Sequence, residues 1–421
     1  MIETIQLLPG VTLRCYRDSR FKQGCLSFQI LRLMRREEVA LNALLPAVLL
    51  RGTRNHPDLR SITEHLDTLY GASVSTVARR VGDYQTTGVY CGFMDDRFAL
   101  PGDKVLEPML AFLEEILLDS ALRDGAFLPE FVEGEKKNLI ATIESELNNK
   151  RVYAMNRLME TMCREDSYGL PRLGRKEDVA AIQPKELYDH YRRILKESPI
   201  NIFYVGSGDI QMVAHMLREM LRKIERSYVN LPAQTALHIT AGEDKVEAMD
   251  VAQGKLCLGF TTPITNRTPE FAAMQIMNTI FGAGMTSKLF QNVREKMSLC
   301  YSIGSGYYGA KGIVTVSAGI DFDKEAVTRQ EIMKQLAACQ AGEITQEELN
   351  AAKEAELSSL RATHDTPGAI EGYYATGALS GMNMTPGEYM AAVEAVTLEQ
   401  VVAAAGTVTY HSSYFLKGAG Q

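Results

Sequence analysis

Residues 281–308, FGAGMTSKLFQNVREKMSLCYSIGSGYY, place a loop, a helix and a strand in immediate succession. Apolar residues recur at helical spacing after the glycine-containing loop, and either Thr286 or Ser287 could cap the helix. The segment that begins at Cys300 has the pattern of a strand. The stretch therefore predicts a helix followed by a sharp corner into a strand, and the other half of the chain contains a similar order of elements.

The predicted corner brings two polar side chains into one region. Arg294 lies on the last turn of the helix, and Tyr301 lies at the start of the strand. A guanidinium is a planar set of donors for carbonyl or carboxylate oxygens, and tyrosine offers one hydroxyl. The pair could therefore grip an extended peptide backbone. Spacing alone also allows a structural role, in which Arg294 pairs with Glu295 or an aspartate and Tyr301 is half-buried.

The length and composition indicate a globular chain of two domains. A chain of 421 residues is too long for one ordinary core, and 46% hydrophobic with 23% charged residues is a normal globular balance. The net charge of −7 gives no electrostatic footprint for nucleic acid, and we interpret the local basic run of Arg32, Arg35 and Arg36 as a solvated face. No apolar stretch is long enough to span a membrane.

The cysteines and the N-terminal residues point to a reducing compartment. The seven cysteines are scattered and contain no CxxC pair, which is typical of buried, reduced thiols. The first residues lack the basic segment and apolar core of a signal peptide, and we expect them to form a first strand. The sequence therefore predicts a cytoplasmic protein.

The chain contains the same series of elements twice. In the first half the pattern predicts strands and helices at 3–8, 11–16, 24–31, 37–50, 59–69, 71–80 and 84–93. In the second half it predicts them at 246–252, 254–261, 269–281, 287–296, 300–308 and 312–320. Thr268 is the predicted N-cap of the helix at 269–281, with Pro269 at its first position. The paired helices at 103–118 and 126–149 correspond to those at 323–340 and 345–363, and strands at 200–205 and 408–416 close the two halves.

This duplication predicts an α+β fold of two like domains, each a mainly antiparallel sheet with helices on one face. The predicted domains are residues 1–225 and 251–421. Residues 226–250 form the predicted linker, because the polar run HITAGEDKVE within them has no strong periodicity.

The chain combines this order of elements with the RGT and LYG segments in the first half and the LFQNVREKMSLCYS segment in the second. In these features it resembles the insulinase-like peptidases, also called the pitrilysin or M16 family. The resemblance spans essentially the whole chain. Within the family, the chain is most similar to the half-size members of the bacterial and mitochondrial-processing-protease type. It implies the fold of the LuxS/MPP-like metallohydrolases. Active members carry an inverted zinc motif, HxxEH, just before a [K/R]GT segment, and a distal glutamate completes their zinc site.

The positions that would hold zinc contain other residues. Counting back from Arg51-Gly52-Thr53, the residues ALLPA occupy the place of HxxEH, so Ala43 and Ala47 replace the histidines and Pro46 replaces the general base. Thr142 stands where the distal glutamate is expected, seven residues after Glu135. Neither alanine nor proline has a side-chain ligand atom. The resemblance therefore implies a degenerate site, with no cofactor in this chain and zinc in a partner subunit.

The second-half motif matches the family pattern except at Ser298, where glycine is usual. In the family, the arginine and tyrosine of this motif line the substrate cleft and help to stabilise the developing oxyanion. The resemblance thus favours a substrate-binding role for Arg294 and Tyr301. Gly282 and Gly284 resemble a glycine-containing loop that contacts substrate in related non-catalytic subunits, although such a turn also serves simply to begin a helix.

These observations predict the non-catalytic, substrate-binding subunit of a heterodimeric zinc peptidase, whose HxxEH-bearing partner supplies the metal and whose substrate is a peptide. The isolated chain could form a homodimer, because the surface that faces the partner would otherwise be exposed. Two alternatives remain: a scaffolding protein of the same fold without a proteolytic role, and a metallopeptidase with an unrecognised metal site. For each histidine, an exposed or hydrogen-bonded structural role is the simpler interpretation.

Overall fold

The computed structural model describes residues 2–233, 237–238 and 240–419, which form an α+β fold. The strands in chain order are β1 (Ile2–Leu8), β2 (Val11–Arg17), β3 (Gln23–Leu33), β4 (Ser73–Val81), β5 (Tyr84–Met94), β6 (Leu122–Arg123), β7 (Ala126–Phe127), β8 (Ile200–Gly206), β9 (Asp244–Met249), β10 (Gly254–Thr261), β11 (Cys300–Tyr308), β12 (Ile313–Ile320) and β13 (Thr409–Gly418).

Helices connect these strands. They are α1 (Arg36–Leu49), α2 (Leu59–Thr68), α3 (Leu106–Leu118), α4 (Pro129–Asn148), α5 (Lys150–Met162), α6 (Lys176–Ala181), α7 (Pro184–Glu197), α8 (Ile210–Arg222), α9 (Phe271–Phe281), α10 (Glu325–Gln340), α11 (Gln346–Ala362), α12 (Pro367–Ser380), α13 (Pro386–Ala395) and α14 (Leu398–Gly406). Residues Leu289–Lys296 form a π-helix. Among the described helices, none has the length and apolar character needed to cross a bilayer.

The two large sheets share one topology. The first has the strand order β1-β2-β8-β3-β5-β4, and the second has the order β11-β12-β10-β13-β9. Without β1, the series β2-β8-β3-β5-β4 corresponds to β9-β13-β10-β12-β11. The parallel pair also takes the same place in each sheet, as β2 with β8 and as β13 with β9, while the other neighbours are antiparallel. The predicted fold class, two like α+β halves with mainly antiparallel sheets, is confirmed.

The chain divides into two compact units that are interleaved along the sequence. The first comprises residues 1–143, 171–233 and 364–376, and the second comprises 144–170, 234–363 and 377–421. The sequence predicted two consecutive domains, residues 1–225 and 251–421, whereas these units alternate along the chain. The difference has a simple cause: a repeated pattern shows which segments are alike, but not which sheet each connecting helix covers.

In the first unit, helices cover one face of the six-stranded sheet. Phe28 of β3 and Ile202 of β8 share a core with Val48 of α1, Ile116 of α3 and Leu217 of α8, all fully or almost fully buried. Nearly every residue of β3 is buried, as expected for a central strand covered on both faces. Residues 364–376 contribute to the cover on the opposite face.

In the second unit, α5 packs against the five-stranded sheet. Leu158 and Met162 of α5 share a buried cluster with Cys257 of β10 and Tyr414 of β13. The helix that follows α4 in the first half of the sequence thus belongs to the core of the second sheet, which the repeat pattern did not predict.

The predicted start of the helix at 269–281 is wrong by two residues. The helix α9 begins at Phe271 with Glu270 as its N-cap. Thr268 instead closes a turn with Thr265, since its backbone N–H donates to the Thr265 carbonyl (3.0 Å) and its hydroxyl accepts from the Thr265 N–H (3.2 Å). This turn keeps Thr268 and Pro269 outside the helix.

The interpretation of Arg32 as part of a solvated face is also wrong. Arg32 is buried and forms two hydrogen bonds with the Glu38 carboxylate, Nε to Oε2 at 2.7 Å and Nη2 to Oε1 at 2.8 Å. Arg193 of α7 donates to the same carboxylate at 3.0 Å. Burial alone would raise the pKa of Glu38, but the bonds and charges of Arg32 and Arg193 outweigh it and lower the pKa to about 2. A buried position is tolerable for Arg32 because its charge is paired and hydrogen-bonded.

This buried network continues from Arg193 to His190 and α1. Arg193 Nη2 donates to His190 Nδ1 at 3.0 Å, and His190 Nε2 lies 2.7 Å from Asn42 Oδ1. Asn42 Nδ2 in turn donates to Gln85 Oε1 at 3.0 Å. These contacts assign the neutral tautomer with the proton on Nε2. The histidine is structural, as predicted, and it fixes the orientation of α1.

Acidification should destabilise the fold through His190. Burial is the largest cause that lowers its pKa from 6.5 to about 4, so the unfolded chain binds a proton below pH 6.5 while the folded chain does not. Stability should therefore fall as the pH drops from about 6.5 to 4, by up to about 3 kcal/mol. Chemical denaturation across this range should give a flatter profile for His190→Gln. The matched variant His215→Gln, at an exposed position, should keep the wild-type slope. An unchanged slope in His190→Gln would assign the pH dependence to other groups.

Candidate functional site

The glycine loop before the π-helix is fixed by close contacts at Gly282. This residue ends α9, and its carbonyl accepts from the backbone N–H of Ser305 in β11 at 3.0 Å. A Cβ atom at Gly282 would lie 2.6 Å from Ser305 Oγ and 2.7 Å from Leu289, so only glycine fits. Gly284 has φ +144°, a conformation that side chains other than glycine rarely adopt. The next residue, Met285, is 74% exposed at the tip of the loop.

The predicted helix is a π-helix, and it is held by side-chain contacts at its outer turns. Ser287 accepts the N–H of Phe290 at 3.3 Å, which confirms one of the two proposed capping residues. Lys288 pairs with Glu348 of α11 (2.8 Å), and Asn292 donates to Gln335 of α10 (2.8 Å). Such π-helical segments are frequent at functional sites, because they re-aim side chains relative to a regular helix.

Arg294 is a half-exposed residue of this π-helix. Its guanidinium lies 4.6 Å from the centroid of the Phe290 ring and 3.4 Å from the Glu295 carboxylate. Its side chain is 39% exposed. The contact with Glu295 is the structural alternative that the spacing allowed. At this exposure the ion pair contributes little stability, so the guanidinium can exchange Glu295 for another acceptor at small cost.

Tyr301 lies at a β-bulge in the edge strand β11 and is 63% exposed, so it is not the half-buried residue of the structural alternative. Its hydroxyl donates to Asp321 Oδ1 at 3.0 Å, and this bond is the main cause that raises the pKa of Tyr301. Lys324 also pairs with Asp321, at 2.9 Å. The sequence reasoning missed Asp321 and Lys324; their position just after β12, the neighbour of β11, was the available signal.

Arg294 and Tyr301 flank the same corner but have different partners. Burial raises the pKa of Cys300 to about 11, against an opposing effect of the Arg294 and Lys324 charges, so both cations lie near this thiol. Cys300 precedes Tyr301 directly. Within the described chain the two predicted site residues do not hydrogen-bond to each other. The corner therefore presents a guanidinium and a phenol that each have a separate internal partner, Glu295 for Arg294 and Asp321 for Tyr301.

Ser298, the departure from the family pattern, has φ +52°. This left-handed conformation is unfavourable for residues with a Cβ, and the Ser298 side chain is exposed. We expect Ser298→Gly to raise the free energy of unfolding by about 1 kcal/mol, because relief of the strain exceeds the entropic cost of glycine. Urea denaturation would measure the change. Ser298→Ala keeps the Cβ and should bring no gain; equal values for the two variants would show that strain at this position is negligible.

The positions of the degenerate zinc motif lie on two helices of the first unit. Ala43, Pro46 and Ala47 are buried or half-buried on α1, with Pro46 inside the helix. Thr142 is exposed on α4, and its hydroxyl donates to the Asn138 carbonyl at 2.9 Å. Alanine and proline carry no ligand atom, and the threonine hydroxyl is a poor zinc ligand. The residues present therefore do not fit a zinc ion at this place.

Histidines elsewhere in the first unit do not replace this site. His56 and His65 have ring centroids 4.5 Å apart, and His56 Nδ1 contacts Glu115 at 2.8 Å. Thr53 of the RGT segment bonds to the same carboxylate. Among the described residues, no group of three or more histidine, cysteine, aspartate or glutamate side chains is arranged to hold a metal ion.

Comparisons with known proteins agree with this geometry. Residues 181–356 match the family described as Peptidase M16 inactive domain. The chain is 29% identical over 409 residues to a probable inactive metalloprotease, YmfF, of Bacillus subtilis strain 168. The matched residues cover 97% of this chain and 96% of the relative.

Two solved structures are similar along the whole chain. A conserved protein of Enterococcus faecalis V583 has a TM-score of 0.93 at 26% identity, covering 100% of this chain and 99% of its own. A peptidase M16 inactive domain of Pseudomonas fluorescens has the same fold, with a TM-score of 0.81 at 16% identity and coverage of 99% and 98%. The resemblance predicted from the sequence is thereby confirmed: part of the chain matches the M16 inactive-domain family, and nearly the whole chain is similar to a probable inactive metalloprotease.

Proposed function

We propose that this chain is the non-catalytic, substrate-binding subunit of a heterodimeric M16 peptidase that processes peptides or proteins. One contrast carries the proposal. The zinc-motif positions hold Ala43, Pro46 and Ala47, which cannot act on a metal, whereas Arg294 and Tyr301 keep accessible polar ends at one corner. A chain that retains the proposed substrate-binding residues but lacks the metal ligands is suited to function together with an HxxEH-bearing partner.

In this proposal the corner binds an extended peptide. Arg294 exchanges Glu295 for a peptide carbonyl, since a planar guanidinium can donate two hydrogen bonds to one backbone segment. Tyr301 donates to a neighbouring carbonyl in place of Asp321. The peptide lies as an added strand at a sheet edge, and the exposed Met285 supplies an adaptable apolar contact at the loop that Gly282 and Gly284 shape.

The proposal is tested by reconstitution with an HxxEH-bearing M16 protein from the same source. Alone, the chain should bind no stoichiometric zinc in elemental analysis and should cleave no peptide of a fluorogenic library. The mixture should cleave, and size-exclusion chromatography with light scattering should show a complex of one copy of each chain. A mixture with no activity above that of the partner alone would contradict the subunit role.

A scaffolding role is the second candidate, and one observation favours it. Both side chains of the corner already have internal partners, Glu295 for Arg294 and Asp321 for Tyr301. A scaffold would form the complex with the partner, but substitutions at the corner would leave turnover unchanged. The third candidate, a metallopeptidase with an unrecognised site, requires about one metal ion per chain in the elemental analysis.

The proposal also concerns the oligomeric state of the isolated chain and the location of the complex. A homodimer of the isolated chain would substitute for the missing partner, so it should dissociate when the HxxEH-bearing protein is added. The buried thiols agree with a cytoplasmic location for the complex.

A further inference from the structure

Residues 364–376 lie against the face of the first sheet that is opposite its helices. In β3, Leu26, Phe28 and Ile30 point to the helical core, so the intervening Ser27 and Gln29 point to the other face. Both of these polar side chains are completely buried, and Glu371 of α12 covers them. We call the side chains of Ser27, Gln29 and Arg79 the carboxylate cradle.

The cradle holds both oxygens of the Glu371 carboxylate, whose side chain is 0% exposed. Oε1 accepts from Ser27 Oγ at 2.6 Å, from Gln29 Nε2 at 2.9 Å and from Arg79 Nη1 at 3.0 Å, and Oε2 accepts from Arg79 Nη2 at 2.8 Å. Among the described residues, Gln29 Oε1 is buried without a hydrogen-bond partner. The amide thus turns its donor to the carboxylate and leaves its acceptor unused, which makes the cradle a donor-only site for an anion.

A second cation lies on the same face. Arg14 of β2 stacks over Phe203 (5.5 Å) and donates to Asn201 at 3.0 Å, and Phe203 is paired with Ser27 in the sheet register. Burial lowers the pKa of Arg14. Within residues 2–233, no acidic side chain forms an ion pair with Arg14. The face around the cradle thus has the guanidinium of Arg14 in addition to the Arg79–Glu371 pair, and this further positive charge favours an acidic ligand.

The segment that occupies the cradle packs against the sheet through the Glu371 carboxylate and a small apolar cluster, which Tyr374 joins with its ring 6.0 Å from that of Tyr16. Of its residues, Ile370, Glu371 and Ala375 are buried, and Ile370 joins a small cluster with Cys25 and Val205. Its sequence, HDTPGAIEGYYAT, contains two glycines, which are weak helix formers, whereas Pro367 is at the first position of α12, where proline is favourable. A ligand that takes the place of this segment must therefore supply a carboxylate and an apolar side chain at the same positions.

We propose that the carboxylate cradle is a recognition site for an acidic side chain of an extended peptide, and that Glu371 occupies it in the same chain until such a peptide takes its place. The glutamate is thus an internal competitor for an acidic ligand. This inference is independent of the subunit role proposed above, because it requires neither Arg294 nor a partner protein.

The test uses the full chain and two peptides that carry fluorescein on the N-terminal amine, fluoresceinyl-GVEVG-amide and fluoresceinyl-GVQVG-amide. By fluorescence anisotropy, Glu371→Ala should bind the glutamate peptide at least tenfold more tightly than the wild type does, and should discriminate against the glutamine peptide. Adding Arg79→Met should abolish this gain. The matched variant Asp365→Ala, at an exposed acid of the same segment, should behave as the wild type.

A second measurement does not depend on the folding of Glu371→Ala. In the wild type, millimolar glutamate peptide should accelerate amide hydrogen exchange within residues 364–376, and the glutamine peptide should not. If Glu371→Ala folds and binds both peptides equally or neither, the cradle is only a structural anchor. If it does not fold, equal exchange with the two peptides leads to the same conclusion.

Discussion

Lys311→Ala should lower the free energy of unfolding by about 3–5 kcal/mol, the loss expected when one partner of a buried ion pair is removed. Lys311 Nζ lies 3.1 Å from Asp166 Oδ2, and the two side chains are 0% and 1% exposed. Asp166 also accepts the backbone N–H groups of Tyr168 and His238. Removal of the ammonium would leave a buried carboxylate without its counter-charge, and urea denaturation would measure the loss.

An exposed ion pair provides the matched control for this prediction. Lys185 and Asp189 pair on α7 with side chains 60% and 59% exposed, so Lys185→Ala should cost less than about 0.5 kcal/mol. A loss below about 1 kcal/mol for Lys311→Ala would show that water reaches Asp166 and that the pair is not important for stability.

Arg294→Ala should reduce kcat/KM of the reconstituted complex by about 100-fold, if the proposed grip on the peptide carbonyl stabilises charge that develops there. Most of the loss should appear in kcat, because a donor aimed at developing charge acts mainly in the transition state. Arg294→Lys keeps the charge but loses the planar pair of donors, so an intermediate value is expected. Steady-state kinetics with one fluorogenic peptide would measure all three proteins.

Lys296, an exposed cation of the same π-helix, is the control for this experiment. Lys296→Ala should leave kcat/KM within about twofold of the wild type, since its charge has no assigned contact with the peptide. Equal kinetics for Arg294→Ala and Lys296→Ala, with an intact complex, would favour the scaffolding role.

The duplicated fold could be predicted from the sequence because each element has a local signal. Alternating and helical apolar patterns located the strands of both sheets and the helices between them within a few residues. The start of α9 was missed, because the turn that Thr268 forms with Thr265 resembles an N-cap in sequence. Caps and turns use the same residue types, and only the backbone direction distinguishes them.

Contacts between distant segments had no comparable signal. The burial of Arg32 depends on Glu38 and on Arg193, and the latter is 161 positions farther along the chain than Arg32. Glu371 reaches its donors from more than 290 positions away. From the sequence alone, a charged residue is predicted to be exposed unless its partner is known. At the candidate site, the motif supplied Arg294 and Tyr301, but their present partners depend on rotamers that spacing does not determine.

The burial of every cysteine has a practical consequence for following how this molecule opens. All seven cysteines lie within the described residues and are buried as thiols, three of them in strands of the first sheet (Cys15, Cys25 and Cys91) and two in strands of the second (Cys257 and Cys300). An alkylating reagent would reach them mainly through local or global opening, so mass spectrometry of time-resolved labelling would report the opening of each sheet separately without any engineered probe.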